Sequence, residues 1–304
     1  MNEPKIPWGI THPSKPLPPK PIKPPAPSEE KLKMWLENDL GDAVQLAIDD
    51  YKLPYKIVNG KLVDALAGSE LWLNKFITVD PDTLNTLEDV KKLSKVDDEV
   101  LILGETGTGK ELIGKSMIGN RAGAIVAVNC AGIPDTLIES ELFGHVKGSF
   151  TGADKDKKGL MAAAKGGVLF LDEVGELSMS VQAKLLRAIQ DKRIRPVGSN
   201  VDEEITCKIV CATHRDIKAM TKLDVPTFRE DLYARISTFE IRLKPLRHRT
   251  CDVVPIVQSM KGGQAFLDGC AARMIDPTKL DLSLNVRSLH QYVRRYAIFG
   301  RINT

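Results

Sequence analysis

The run Gly104-Glu105-Thr106-Gly107-Thr108-Gly109-Lys110 restricts the fold more than any other part of the 304-residue chain. It follows an apolar stretch at 100–103 and leads into a helical pattern at 110–118. The glycines let backbone N–H groups curl around phosphate oxygens, and the N-terminus of the following helix favours negative charge. With a strand before and a helix after, this is the arrangement of a phosphate-binding loop. Lys110 is then the cation that reaches the β- and γ-phosphates of a nucleotide. Residue 111 is Glu111, where the general pattern carries Ser or Thr to hold Mg²⁺. The metal must therefore lean on water and other groups, and Thr108 has no assigned contact to it.

From about residue 77 to 245, short apolar stretches alternate with helical ones. Candidate strands lie at 100–103, 125–128, 168–171, 208–212 and 239–243, and candidate helices at 110–118, 181–190 and 229–236. Such alternation predicts an α/β domain, a parallel sheet with helices on both faces. Residues 246–304 read as helices only and predict a small lid domain. No internal repeat is present.

Two further groups carry chemistry. The apolar stretch Val168-Leu169-Phe170-Leu171 ends in Asp172-Glu173. Beside a phosphate-binding loop, Asp172 is placed to orient Mg²⁺ and Glu173 to polarise an attacking water as general base. In Phe228-Arg229-Glu230-Asp231-Leu232-Tyr233-Ala234-Arg235, two arginines stand on one candidate helix. An arginine delivered to a γ-phosphate stabilises transition-state charge, whereas most helical arginines are simply solvated. Spacing alone does not choose between these.

Residues 1–28 hold 10 of the 18 prolines together with Lys5, Lys15, Lys20 and Lys23. This composition cannot build a helix or a packed core and predicts an extended, disordered tail. From Ser28, a plausible N-cap, Leu32, Trp35, Leu36, Leu40, Val44 and Ala47 recur near helical spacing, so 29–76 is expected to be a small, mostly helical lead-in. Cys130, Cys207, Cys211, Cys251 and Cys270 are odd in number and lack metal-ligand spacing, and read as buried, reduced thiols. No apolar run approaches the ~20 residues that span a bilayer, and no signal peptide is recognisable, so a cytoplasmic protein is expected. A net charge of +3 neither requires nor excludes a nucleic-acid face.

Between the loop and the acidic pair lies Glu141-Leu142-Phe143-Gly144-His145-Val146-Lys147-Gly148-Ser149-Phe150-Thr151-Gly152-Ala153. Two glycines bracket an aromatic and a hydroxyl, a composition suited equally to a mobile tip that presses Phe150 into a partner and to a hairpin that packs it into the core. The stretch resembles the signature loop, G-A-F-T-G-A, of the sigma-54-dependent transcription activators, bacterial enhancer-binding proteins of the AAA+ class. The resemblance covers about residues 80 to 256 and, more weakly, the rest to 304. It extends to the phosphate-binding loop, including the unusual Glu111.

The resemblance implies further roles. Asn129 would couple the γ-phosphate to the loop by pairing with Glu173. Thr213, in Ala212-Thr213-His214-Arg215, would be the first sensor of phosphate, and Arg287, in Asn285-Val286-Arg287, the second. Arg229 and Arg235 would reach the ATP of a neighbouring subunit in a ring, which the family forms as a hexamer. Residues 148–153 would act on sigma-54 bound to RNA polymerase, with Mg-ATP as fuel, to promote promoter opening. A nucleotide-gated sigma-54 binder that opens no promoter, and an AAA+ remodeller of another protein, share most of these residues. Three departures stand out. Leu282, Ser283 and Leu284 replace the family's Trp-Pro-Gly. The stretch between Ile256 and Asn285 is short. No receiver domain or helix-turn-helix is recognisable, so no DNA-binding segment is expected in this sequence.

Overall fold

The computed structural model describes residues 72–302, the backbone of two strands between residues 55 and 64, and Lys31 and Met34, which are helical. The expected proline-rich tail and the Ser28 cap lie outside the described residues. The chain divides into two compact units, residues 1–65 and 66–304. In the first, Tyr55–Val58 and Lys61–Asp64 pair antiparallel, with Val58 opposite Lys61. A mostly helical lead-in did not anticipate this hairpin. Its signal is nevertheless present: Asn59-Gly60 between two runs of β-formers is the pairing that favours a two-residue connection.

The second unit opens with helix α1, Pro81–Leu93. Asp80 caps it, accepting from the Thr83 amide at 2.9 Å and the Thr83 hydroxyl at 2.7 Å, while Pro81 supplies a pre-set φ. Strand β1 (Val100–Leu103), helix α2 (Lys110–Ser116), strand β2 (Ile125–Asn129) and helix α3 (Asp135–Phe143) follow. Next come β3 (Val168–Asp172), α4 (Met179–Asp191), β4 (Lys208–Thr213), α5 (Glu230–Ile236) and β5 (Phe239–Arg242). All five strands are parallel, in the order β5-β1-β4-β3-β2.

Side-chain alternation splits the sheet into two buried faces. Leu101, Leu169, Leu171, Ile209 and Cys211 pack on one side with Leu142 of α3, Leu185 and Ile189 of α4, and Leu232 and Ile236 of α5. Val100, Ile102, Val168, Phe170, Val210 and Ala212 pack on the other with Val90 of α1 and Ile113 and Met117 of α2. Every residue of β4 is buried, as expected for the centre of a parallel sheet covered on both faces. A Cβ at Gly114 would fall 2.2 Å from the Phe170 ring, so glycine there lets α2 lie close on the sheet and sets where the preceding loop ends. At the start of β4, Lys208 is buried and donates to the carbonyls of Leu93, Val96 and Asp98 at 3.2, 2.8 and 2.6 Å, tying the end of α1 to β4. Burial pushes its ammonium down to about 8.

Residues beyond the sheet form three helices, α6 (Val253–Ser259), α7 (Gly263–Ala272) and α8 (Val286–Phe299). They enclose their own core of Leu246, Val253, Val257, Phe266, Cys270, Leu289 and Val293. Cys130, Cys207, Cys211 and Cys270 are buried, and burial pushes the Cys130 thiol up to about 12 and that of Cys207 to about 11. Cys251 departs from the expectation of a buried thiol, since it is exposed. No helix among the described residues is long and apolar enough to cross a membrane.

Candidate nucleotide site and partner loop

The phosphate-binding loop leaves β1 and enters α2 as the sequence predicts. Gly107 and Gly109 adopt φ of 80° and 109°, a region that favours glycine. A Cβ at Gly107 would fall 2.2 Å from the Leu284 carbonyl oxygen, and one at Gly109 2.6 Å from the Phe76 ring. The amides of Gly107, Gly109, Lys110 and Glu111 form no hydrogen bond with any described residue. They therefore remain available to phosphate oxygens. Lys110 is buried, and its Nζ donates to the carbonyls of Gly104 at 2.8 Å and Glu105 at 3.3 Å. The Thr108 hydroxyl donates to the Glu105 carbonyl at 2.8 Å and stays with the backbone. Glu111 pairs on the surface with Lys115 at 2.5 Å.

Asp172 ends β3 opposite Asn129 of β2. Glu173 follows at φ 55°, a left-handed conformation uncommon for a non-glycine residue and concentrated at functional sites. Its Oε1 lies 3.6 Å from Lys110 Nζ. Its Oε2 accepts from His214 Nδ1 at 2.7 Å, the His214 amide at 3.2 Å and the Thr213 hydroxyl at 3.3 Å. Burial, reinforced by the neighbouring Glu173 charge, raises Asp172 above the ordinary carboxylate range. Burial also pushes Glu173 upward, but the His214 donors and Lys110 outweigh it and hold this carboxyl below its ordinary value. The pairing of Asn129 with Glu173 is not made: Asn129 Oδ1 accepts from the Ala131 amide at 3.0 Å, because it caps the short turn after β2. His214 holds Glu173 in its place. That role went unread in the sequence, although a polar residue directly after the most buried strand was a signal.

A cavity of about 1220 Å³ opens between this machinery and α8. It is lined by Thr106, Gly107, Thr108, Gly109, Lys110, Glu111, Asn129, Asp172, Glu173 and Arg287, with apolar walls from Phe76, Ile77, Ile256, Met260 and Val286. Gly104, Glu105 and Thr213 line an adjoining cleft instead. No cluster of three or more His, Cys, Asp or Glu among the described residues could hold a metal by protein ligands alone. One acid at the end of β3 beside a phosphate loop fits a magnesium ion that comes with its nucleotide.

Long-range contacts fasten the helical lid to the loop. Buried Asn285 donates to the Thr106 carbonyl at 3.0 Å and to Glu105 at 3.3 Å, and accepts from the Leu246 amide at 2.6 Å. Arg247 grips Glu105 with two bonds of 2.6 Å and holds that carboxyl below the usual range. Arg249 donates to the Thr108 carbonyl at 3.1 Å and pairs with Asp252 at 2.9 Å, both side chains almost fully buried. Asp252 also accepts from the Thr78 hydroxyl and the Val79 and Asp80 amides. Arg249→Met leaves that carboxylate without its cation and is expected to cost ~3–5 kcal/mol in urea unfolding. A loss below ~1 kcal/mol would contradict the network's role.

Arg229 and Arg235 do not line this cavity. Arg229 caps α5, partly exposed, its guanidinium held by Asp231 at 3.0 and 2.7 Å. Arg235 lies 3.9 Å from buried Glu99, which also binds Lys192 at 2.7 Å.

The loop Gly148-Ser149-Phe150-Thr151-Gly152-Ala153 stands between the short strands Gly144–His145 and Lys157–Lys158. Gly148 and Gly152 have φ of 80° and 97°, with open space where a Cβ would be. Two backbone bonds, Gly148 N–H to the Ala153 carbonyl and Ala153 N–H to the Phe150 carbonyl, close the tip. Phe150 is 37% exposed, one edge against the His145 ring at 4.9 Å. The base of the loop bonds to a second hairpin, Arg193–Ile194 with Glu203–Glu204, through reciprocal contacts of Val197 with Gly144 and Val146.

A five-stranded parallel sheet in this order, a glycine-rich loop after β1, an acidic pair after β3 and a three-helix lid over the loop define an AAA+ P-loop domain. Comparison agrees: NtrX from Brucella abortus superposes with a TM-score of 0.63 at 23% identity, over 93% of this chain and 59% of that one. Residues 76–242, more than half the chain, match the Sigma-54 interaction domain. The transcriptional regulatory protein GlrR of Escherichia coli K12 is 40% identical over 216 residues, covering 70% of this chain and 46% of the relative. The response regulator protein PilR of Pseudomonas aeruginosa is 45% identical over 184 residues, covering 59% and 41%. The chain belongs to the sigma-54 interaction domain family. It spans about half the length of the curated relatives it matches.

Proposed function

We propose that the chain binds Mg-ATP between its phosphate loop and its lid, hydrolyses it, and uses the cycle to drive residues 148–153 against sigma-54 on RNA polymerase in the cytoplasm. The observation that carries this is the meeting of Lys110, Asp172, Glu173 and Arg287 around one cavity in a chain of this family. Phosphates would take over Lys110 from the carbonyls of Gly104 and Glu105 and accept from the free loop amides. Magnesium, held by Asp172, water and the phosphates, would neutralise charge on the nucleotide. Glu173 would accept the proton of the attacking water, with Thr213 and Arg287 near the γ-phosphate. Arg229 and Arg235, outside their own cavity, would serve the site of the next subunit in a ring, a hexamer by family analogy.

The partner loop has a separate test. Phe150 is exposed at a glycine-bracketed tip, so it should contact the partner and leave nucleotide chemistry alone. Phe150→Ala is expected to keep ATP hydrolysis and lose sigma-54 binding by at least ~30-fold, the cost of truncating an interface anchor. A variant that melts early and hydrolyses poorly would show Phe150 to be a packing residue. One that still binds sigma-54 would remove it as the anchor.

A further inference from the structure

Gln182 lies in the first turn of α4 and is fully buried among apolar side chains. An amide in such a place must find partners for its donors and acceptor. Its Nε2 donates to the Leu177 carbonyl at 2.7 Å and to the Thr227 carbonyl at 3.0 Å, and its Oε1 accepts from the Arg229 amide at 2.8 Å. The last two bonds grip the chain on either side of Phe228, itself fully buried. An apolar side chain of similar size would fill the same space. What the amide adds is a fixed position for the backbone of residues 227 and 229.

That position decides where the Arg229 side chain leaves the surface. Arg229 is the N-cap of α5, with φ −75° and ψ 133°, so its backbone is the last before the helix takes over. Among the described residues its guanidinium bonds to Asp231, and it does not line its own cavity. We infer that Gln182 is a positioning residue, which sets Arg229 at the place from which it reaches the nucleotide of a neighbouring copy. The inference rests on the shared-site reading above. A misplacement of ~1 Å in a group acting on a reacting centre costs on the order of 10²-fold in rate.

The test is complementation between full-length variants, read as ATP hydrolysis. Gln182→Met alone is expected to lose ~10²-fold in kcat, with nucleotide Kd unchanged. Mixed with Lys110→Ala, which donates a correctly set Arg229 but cannot hold ATP, it should recover activity. Mixed with Arg229→Ala, it should not, because neither chain then donates that arginine properly. Gln182→Glu, neutral when buried, keeps an acceptor for the Arg229 amide and one donor of two, and should show the same pattern with a smaller loss. A Gln182 variant with normal kcat, or one that rescues Arg229→Ala as well as Lys110→Ala does, overturns the inference. So does failure of both variants to fold, which would make Gln182 a packing element. The pair Arg229→Ala with Lys110→Ala is the control: no rescue there removes the shared site itself, whereas rescue there with indiscriminate rescue by Gln182→Met removes only the positioning role.

Discussion

Glu173→Gln is expected to bind ATP as the unchanged chain does and to lose turnover by ~10²–10⁴-fold, the usual contribution of a positioned general base. The substitution preserves shape, leaving the phosphate loop, Lys110 and the lid contacts of Asn285 and Arg249 as they are. What disappears is a carboxylate held below its ordinary value by the His214 donors and Lys110, which follows β3 and lines the cavity. Nucleotide affinity by fluorescence titration and phosphate release at saturating ATP separate the two effects. Wild-type turnover would remove Glu173 as the base. A parallel loss of affinity would make it part of the binding surface instead.

Arg229→Ala is expected to lower hydrolysis by ~10³-fold or more, on the scale of other arginines supplied across an interface, with little change in nucleotide affinity. The reason lies in its position: it caps α5 outside the lining of its own cavity, so under the proposed shared site its effect is exerted on another molecule. Specific activity of the unchanged chain should therefore rise with protein concentration until assembly is complete. Hydrolysis strictly proportional to concentration over the assembly range, measured beside sedimentation of the same samples, would contradict a shared site.

How much of this was legible in the sequence depends on range. The five strands were read to within a residue at each end, because buried parallel strands are near-continuous apolar runs between helical patterns. The phosphate loop and the acidic pair were legible for the same local reason. The lid's hold on the loop was not: Asn285 meets Thr106 across 179 residues and Arg249 meets Thr108 across 141, separations that no periodicity encodes. Asn129 and His214 show a subtler limit. Both stand at strand ends facing the acids, and only geometry reveals that Asn129 is spent on capping a turn while His214 takes Glu173. Gln182 has no local signal of its role, because its bonds reach Thr227 and Arg229, 45 and 47 residues away. The hairpin at 55–64 is different in kind, since Asn59-Gly60 announced it and the helical spacing upstream was extended too far.

Coupling of the nucleotide to the partner loop is the central claim, and capture of sigma-54 tests it most directly. Purified chain is incubated with sigma-54 under three conditions: no nucleotide, Mg-ADP, and Mg-ADP with a trigonal-planar mimic of the transferred phosphoryl group. Binding is read by co-migration on a native gel. The account predicts a stable complex only with the mimic, absent when Phe150→Ala replaces the unchanged chain. Equal capture in all three conditions, or none in any, would contradict it.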